Sequence, residues 1–82
     1  MTQAELHDFA QDWVKCGEAV TKARDLVGLS RADLAREAGM EPEQLRKIES
    51  GGAHKGFEKV RKVLEDKGVV FLDLLTAEVK LK

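Results

Sequence analysis

The sequence predicts a mainly α-helical single domain: a compact bundle of about five helices, with a short β-hairpin at its C-terminal end. Three observations carry this. Apolar residues recur at helical spacing over most of the chain. Residues 28–51, GLSRADLAREAGMEPEQLRKIESG, hold two short amphipathic patterns separated by a brief glycine-containing turn. The last fourteen residues, VVFLDLLTAEVKLK, are rich in strand formers and end in polar–apolar alternation.

Length and composition set the bounds. Eighty-two residues form one domain, small enough to bury roughly 60% of its unfolded surface. With 43% hydrophobic and 35% charged residues, the chain is globular rather than disordered. A single cysteine forbids an internal disulfide, so the fold rests on packing or oligomerisation, as expected for a reducing cytoplasm. No apolar run resembles a signal peptide or a membrane span. The expectation is a soluble cytoplasmic protein with no membrane partner.

The net charge of −1 by itself argues against a nucleic-acid binder. Its distribution says more. Residues 1–21 carry a net −3, residues 22–62 a net +3 and residues 63–82 a net −1. The centre is the basic part.

In chain order, Thr2 and Glu5 have capping-box spacing, and Leu6, Phe9, Ala10, Trp13 and Val14 then repeat at helical spacing. The pattern continues through Val20, Ala23 and Val27, so Gly17 is either a break or a weak point in one longer helix, at about 1 kcal/mol relative to alanine. Phe9 and Trp13 either cap the core or form a dimer contact. Ser30 then suits an N-cap, with Asp33 in the reciprocal position. Leu34, Ala35 and Ala38 line one face, and Gly39 ends the helix in a left-handed turn. Pro42 suits the first turn of the next helix, where its missing N–H needs no partner. Leu45 and Ile48 supply that helix's buried face, and Ser50-Gly51 closes it. Helix, short glycine-containing turn, helix is the helix-turn-helix pattern.

This stretch resembles the Cro/cI-type, or xenobiotic-response-element, helix-turn-helix family. The resemblance lies in Gly28-Leu29-Ser30, Leu34-Ala35 and Ile48-Glu49-Ser50-Gly51, and extends from Gly17 to about Leu64. It implies a helix-turn-helix core over residues 17–68, an added N-terminal helix over 1–16 and a C-terminal dimerisation segment over 69–82. It also implies binding of double-stranded DNA, with the second motif helix in the major groove. That helix's outward face carries Pro42, Glu43, Gln44, Arg46 and Lys47. Glutamine pairs with adenine, arginine or lysine with guanine, and glutamate with the cytosine amino group. Arg31 stands where the family commonly has a DNA-contacting glutamine. The loop of Gly52, Ala53, His54 and Lys55 matches one that approaches a phosphate, a contact that fixes register without reading sequence. Arg24 stands where the family has an arginine paired with the glutamate of the closing run, here Glu49; its role is structural.

The chain departs from the family at Glu41, which replaces the usual Ser or Thr cap, and at Glu43. Both carboxylates favour the helix dipole and repel DNA phosphates. The alternative is therefore a protein-interaction module, such as an antitoxin masking a toxin. No metal or cofactor is expected: His7, His54 and Cys16 lack ligand spacing, and Cys16 reads as a small packed residue. No catalytic grouping or phosphate loop appears, so the protein is read as no enzyme.

Phe57, Val60, Val63 and Leu64 mark a helix from about Lys55 to Lys67, ended by Gly68. Lys59, Arg61 and Lys62 lie on its polar side. Beyond it the hairpin turns near Leu75 to Ala77. The turn lacks Asn-Gly or Asp-Gly, and a terminal helix capped by Asp73 is the alternative. A lone hairpin is marginal in water, so this segment is expected to pack on a second subunit. The whole is read as a homodimeric (auto)repressor on a palindromic operator. The chain length leaves no room for a ligand sensor, which implies control by concentration, as in regulators of mobile elements.

Overall fold

The computed structural model describes residues 3–82, with side chains described from Trp13 onward. Four helices and a two-stranded antiparallel hairpin follow one another: α1 Gln3–Val27, α2 Arg31–Glu37, α3 Pro42–Ser50, α4 Phe57–Asp66, β1 Val69–Asp73 and β2 Glu78–Leu81. The capping box at Thr2 and Glu5, the face of Leu6, Phe9 and Ala10, and His7 fall on side chains outside the described residues.

The helix count of five is corrected to four. The expected added helix and the first motif helix are one continuous helix, α1, which passes through Gly17 without a break. A methyl group on Gly17 would collide with the carbonyl oxygens of Ile48 and Glu49. Gly17 is therefore a contact surface: it lets the backbone of α1 meet the C-terminal end of α3. Gly51 repeats the device from the other side, since a Cβ there would lie 2.7 Å from the Cα of Val14.

Ser30 caps α2, its Oγ accepting from the Asp33 N–H at 3.1 Å, while the Asp33 carboxylate accepts from Arg36 at 2.9 Å. Pro42 opens α3 and Glu41 occupies its N-cap without a side-chain capping bond. Gly51, at φ 82, ends α3 in the left-handed conformation, with its own N–H and that of Gly52 returning to the carbonyls of Ile48 and Lys47. Helix α4 begins two residues later than expected, because Gly56 (φ 92) turns the chain immediately before Phe57.

The hairpin pairs Val69 with Leu81, Val70 with Lys80 and Phe71 with Val79, with a bulge before Asp73. The alternative of a terminal helix is excluded. Asp73 does not cap a helix; its carboxylate accepts from the Leu75 N–H at 2.9 Å and starts the turn. Ala77 takes φ 57 in the turn just before β2, fully buried, and its carbonyl accepts from Lys22 Nζ of α1 at 3.3 Å. A small residue fits where an Asn-Gly turn is missing, because α1 closes over it.

The four helices and β1 share one core: Val20 and Ala23 from α1, Leu34 and Ala35 from α2, Leu45 and Ile48 from α3, Phe57, Val60 and Leu64 from α4, and Val69 from β1, with the half-buried Val79 of β2 packed against it. Trp13 and Cys16 are half-buried against it. Among the described residues no helix is long and apolar enough to cross a membrane.

Candidate nucleic-acid interface

The hydrophobic positions of α2 and α3 fix what the two helices show to solvent. With Leu45 and Ile48 buried, α3 turns Pro42, Glu43, Arg46 and Lys47 outward, all exposed. The helix-turn-helix angle is held by a charged knot rather than by apolar contact alone. Glu49, whose side chain is 5% exposed, accepts from Arg24 Nε at 3.2 Å and Nη2 at 3.4 Å. It also accepts from Thr21 Oγ1 at 3.1 Å and Arg31 Nη2 at 3.3 Å. Arg24 Nη1 donates as well to the Leu29 carbonyl at 3.1 Å. One carboxylate thus joins α1, the start of α2 and the end of α3. Its burial is compensated because both oxygens accept charge-assisted bonds.

Arg31 is half-exposed and reaches Glu49 from the first turn of α2, beside the outward face of α3. On α3, Arg46 grips Glu43 with two hydrogen bonds, Nη2 to Oε1 at 2.6 Å and Nε to Oε2 at 3.0 Å. These bonds hold the Glu43 carboxyl below the usual carboxylate range, aided by the charges of Arg46, Lys47 and Arg31. The same pair raises the Arg46 guanidinium. The acidic front of α3 is consequently neutralised on its own helix; Glu43 and Arg46 present a dipole rather than a bare negative charge. Glu41 at the N-cap lies outside this pair.

Gln44 is turned differently from its neighbours. Its Nε2 donates to the Lys55 carbonyl at 3.0 Å, so its amide ties α3 to the following loop. His54 stacks on Trp13, with ring centroids 4.8 Å apart and 23° between planes, and Phe57 meets Trp13 edge-on at 6.1 Å. The Gly52–Lys55 loop is therefore held from two sides, by Gln44 and by α1, with Lys55 exposed beside it. Lys55 and Lys59 line a shallow cleft with Gly39, Met40 and Gln44 between the α2–α3 turn and the start of α4.

The structure thus gathers Arg31, Pro42, Glu43, Arg46, Lys47 and Lys55 around α3. It ties Gln44 to the Lys55 carbonyl, stacks the exposed His54 on Trp13, and leaves Arg24 and Glu49 beneath. Thr21 and Trp13 were not singled out in the sequence for the contacts they make. Both sit on α1, far in sequence from Glu49 and His54, and no spacing rule reaches them. The Glu43–Arg46 pair, by contrast, stands at i,i+3, a spacing that brings side chains together on a helix.

The Cro/C1-type helix-turn-helix family model matches residues 20–66 of this chain. The match runs from the last third of α1 to the end of α4 and covers more than half of the sequence. The chain belongs to this family of DNA-binding transcriptional regulators. The first two thirds of α1 and the whole hairpin lie outside the match. No curated protein and no solved structure matches the chain.

Proposed function

We propose that the protein is a homodimeric, sequence-specific repressor that occupies a palindromic operator, laying α3 in the major groove. The observation that carries this reading is the arrangement around α3: Arg46 and Lys47 outward, Arg31 and Lys55 flanking, and Glu43 neutralised by Arg46. Basic flanks supply phosphate contacts that set register, and the outward α3 side chains supply base contacts. Arg46 has two routes to specificity. It leaves Glu43 for a guanine, or it stays paired while Glu43 accepts from a cytosine amino group. Gln44 acts in this scheme as a positioning residue, through its bond to the Lys55 carbonyl.

The test is a gel-shift titration against DNA from upstream of the protein's own gene, at two salt concentrations with scrambled competitor. A discrete complex that survives competitor and weakens with salt is the expected result. Absence of a shift at micromolar protein would overturn the reading and turn attention to a protein partner such as a toxin.

A further inference from the structure

The loop between α3 and α4 places glycine at 51, 52 and 56, so its backbone loses more freedom on ordering than an ordinary loop does. Two of its carbonyls are nonetheless fixed. The His54 carbonyl accepts from the Phe57 N–H at 3.1 Å, and the Lys55 carbonyl accepts from Gln44 Nε2 at 3.0 Å. The peptide bonds are trans, and in a planar trans peptide the N–H points opposite to the C=O. The N–H groups of Lys55 and Gly56 are therefore aimed away from the partners of those carbonyls. Neither finds a protein acceptor among the described residues. With the exposed Lys55 side chain in the same stretch, they make a small set of donors for an anion. The loop's side-chain anchor on α1 is the stack of His54 on Trp13. Trp13 is half-buried against the core and also meets Phe57, the first residue of α4, whereas His54 is exposed. Trp13 lies ahead of the family match, which begins at residue 20.

We propose that Trp13 is a positioning residue for DNA binding: through its stack on His54 it holds the Gly52–Lys55 loop so that the Lys55 and Gly56 N–H groups and the Lys55 ammonium meet a DNA phosphate. The proposal rests on the DNA-binding reading above and assigns part of that contact to a residue outside the family match. The loop is pinned at two points, Lys55 to α3 through Gln44 and His54 to α1 through Trp13. Removing the second pin leaves a glycine-rich backbone free to turn about the first. A loop that is competent only part of the time weakens apparent affinity by that fraction. The size of an aromatic stack makes the loss about two- to tenfold. Its character follows from the partner. Phosphate contacts fix register and carry no sequence information, so operator and scrambled DNA lose affinity equally. Losing the Lys55 contact also releases one counterion fewer, which flattens the salt dependence by about one unit of slope.

Four variants of the full chain test this: Trp13→Leu, Trp13→Phe, His54→Ala, and Trp13→Leu combined with His54→Ala. Each is titrated by gel shift at two salt concentrations, against DNA from upstream of the protein's own gene and against its scrambled counterpart. Circular dichroism and melting curves follow the fold, and His54→Ala changes an exposed position, so one single variant keeps the fold even if Trp13→Leu does not. Trp13→Leu and His54→Ala are each expected to weaken binding to both DNAs by about two- to tenfold and to flatten the salt slope. Trp13→Phe, which can still stack, is expected to bind like the wild type. The double variant is expected to lose no more than the weaker-binding single variant, because both substitutions break the same stack. Variants that melt lower yet bind with wild-type affinity and slope would confine Trp13 to stability, overturning this inference and leaving the DNA-binding reading standing. Additive losses in the double variant would overturn the route through His54. A wild type that shifts neither DNA would overturn both readings.

Discussion

Glu49 is the residue on which the helix-turn-helix angle depends. Its carboxylate is almost wholly withdrawn from water and is held by Arg24, Thr21 and Arg31. Orphaning a buried charge costs about 3–5 kcal/mol. Arg24→Ala leaves Thr21 and Arg31 in place, so the expected loss is smaller, roughly 1–3 kcal/mol. That corresponds to a fall in Tm of roughly 5–20 °C for a domain of this size. A melting curve unaltered by Arg24→Ala would show that the knot contributes nothing to stability. Glu43 gives a pH-dependent prediction of known sign. Its pKa is lowered in the folded protein, first by the Arg46 hydrogen bonds. As pH falls, the unfolded chain takes up this proton before the folded one. The stabilisation is therefore present above the unfolded pKa and lost as pH falls through the folded pKa. An NMR titration should find the Glu43 midpoint low in the wild type and restored toward the ordinary value in Arg46→Ala. Arg46→Ala should also weaken operator binding more than Lys47→Ala does. On the proposed reading it removes a base-contacting group and uncovers a carboxylate on the face turned to DNA, whereas Lys47→Ala should mainly flatten the salt dependence by about one unit of slope. Equal losses at unchanged salt slope would contradict these roles. The Glu43–Arg46 pair was open to sequence reasoning because its partners are three residues apart. The Gln44 bond to a backbone carbonyl eleven residues on was not, because no residue-type pattern encodes it.

At the scale of elements, the family match begins inside α1, yet the preceding turns of that helix do part of the interface's work. Trp13 stacks on His54, Gly17 admits the α3 carbonyls, and Val14 lies against Gly51. Periodicity marked a helix on both sides of Gly17 and had no means of deciding whether it bent there, since a glycine in a helix looks the same whether it breaks the helix or abuts another backbone. Substitution decides between the two. Alanine is favoured over glycine within a helix by about 1 kcal/mol, so a merely weak point would be strengthened by Gly17→Ala. The clash with the Ile48 and Glu49 carbonyls is with backbone, which cannot rotate aside, and overpacking of this kind costs about 1–3 kcal/mol. Gly17→Ala is therefore expected to destabilise the protein in urea unfolding. A gain in stability would mean that the α1–α3 contact is looser than described. The hairpin shows the opposite balance. Strand formers and the closing alternation revealed β1 and β2, but the turn was obscure because Ala77 takes its left-handed conformation without glycine or asparagine. What permits it is tertiary: burial under α1 and the Lys22 bond to its carbonyl.

For the whole molecule, a single α3 touches only a few base pairs, so the proposed specificity depends on holding two copies at a fixed separation. Half-sites read by twofold-related helices lie about 34 Å apart, one helical turn. The hairpin packs on α1 and α4 through Val69, Phe71 and Val79, and those helices in turn carry α3. A dimer joined through the C-terminal segment 69–82 would therefore be stiff, with little freedom to follow misplaced half-sites. Inserting about five base pairs, half a turn, rotates one half-site to the opposite face of the duplex. Affinity is then expected to fall by about tenfold or more, because the second α3 loses the benefit of tethering when geometry forbids simultaneous engagement. Inserting a full turn restores the face but doubles the separation, and a stiff dimer should not recover. Gel-shift titration of the three operators separates the possibilities. Recovery at a full turn would indicate a flexible link between copies, and equal affinity for all three would mean that the copies bind independently.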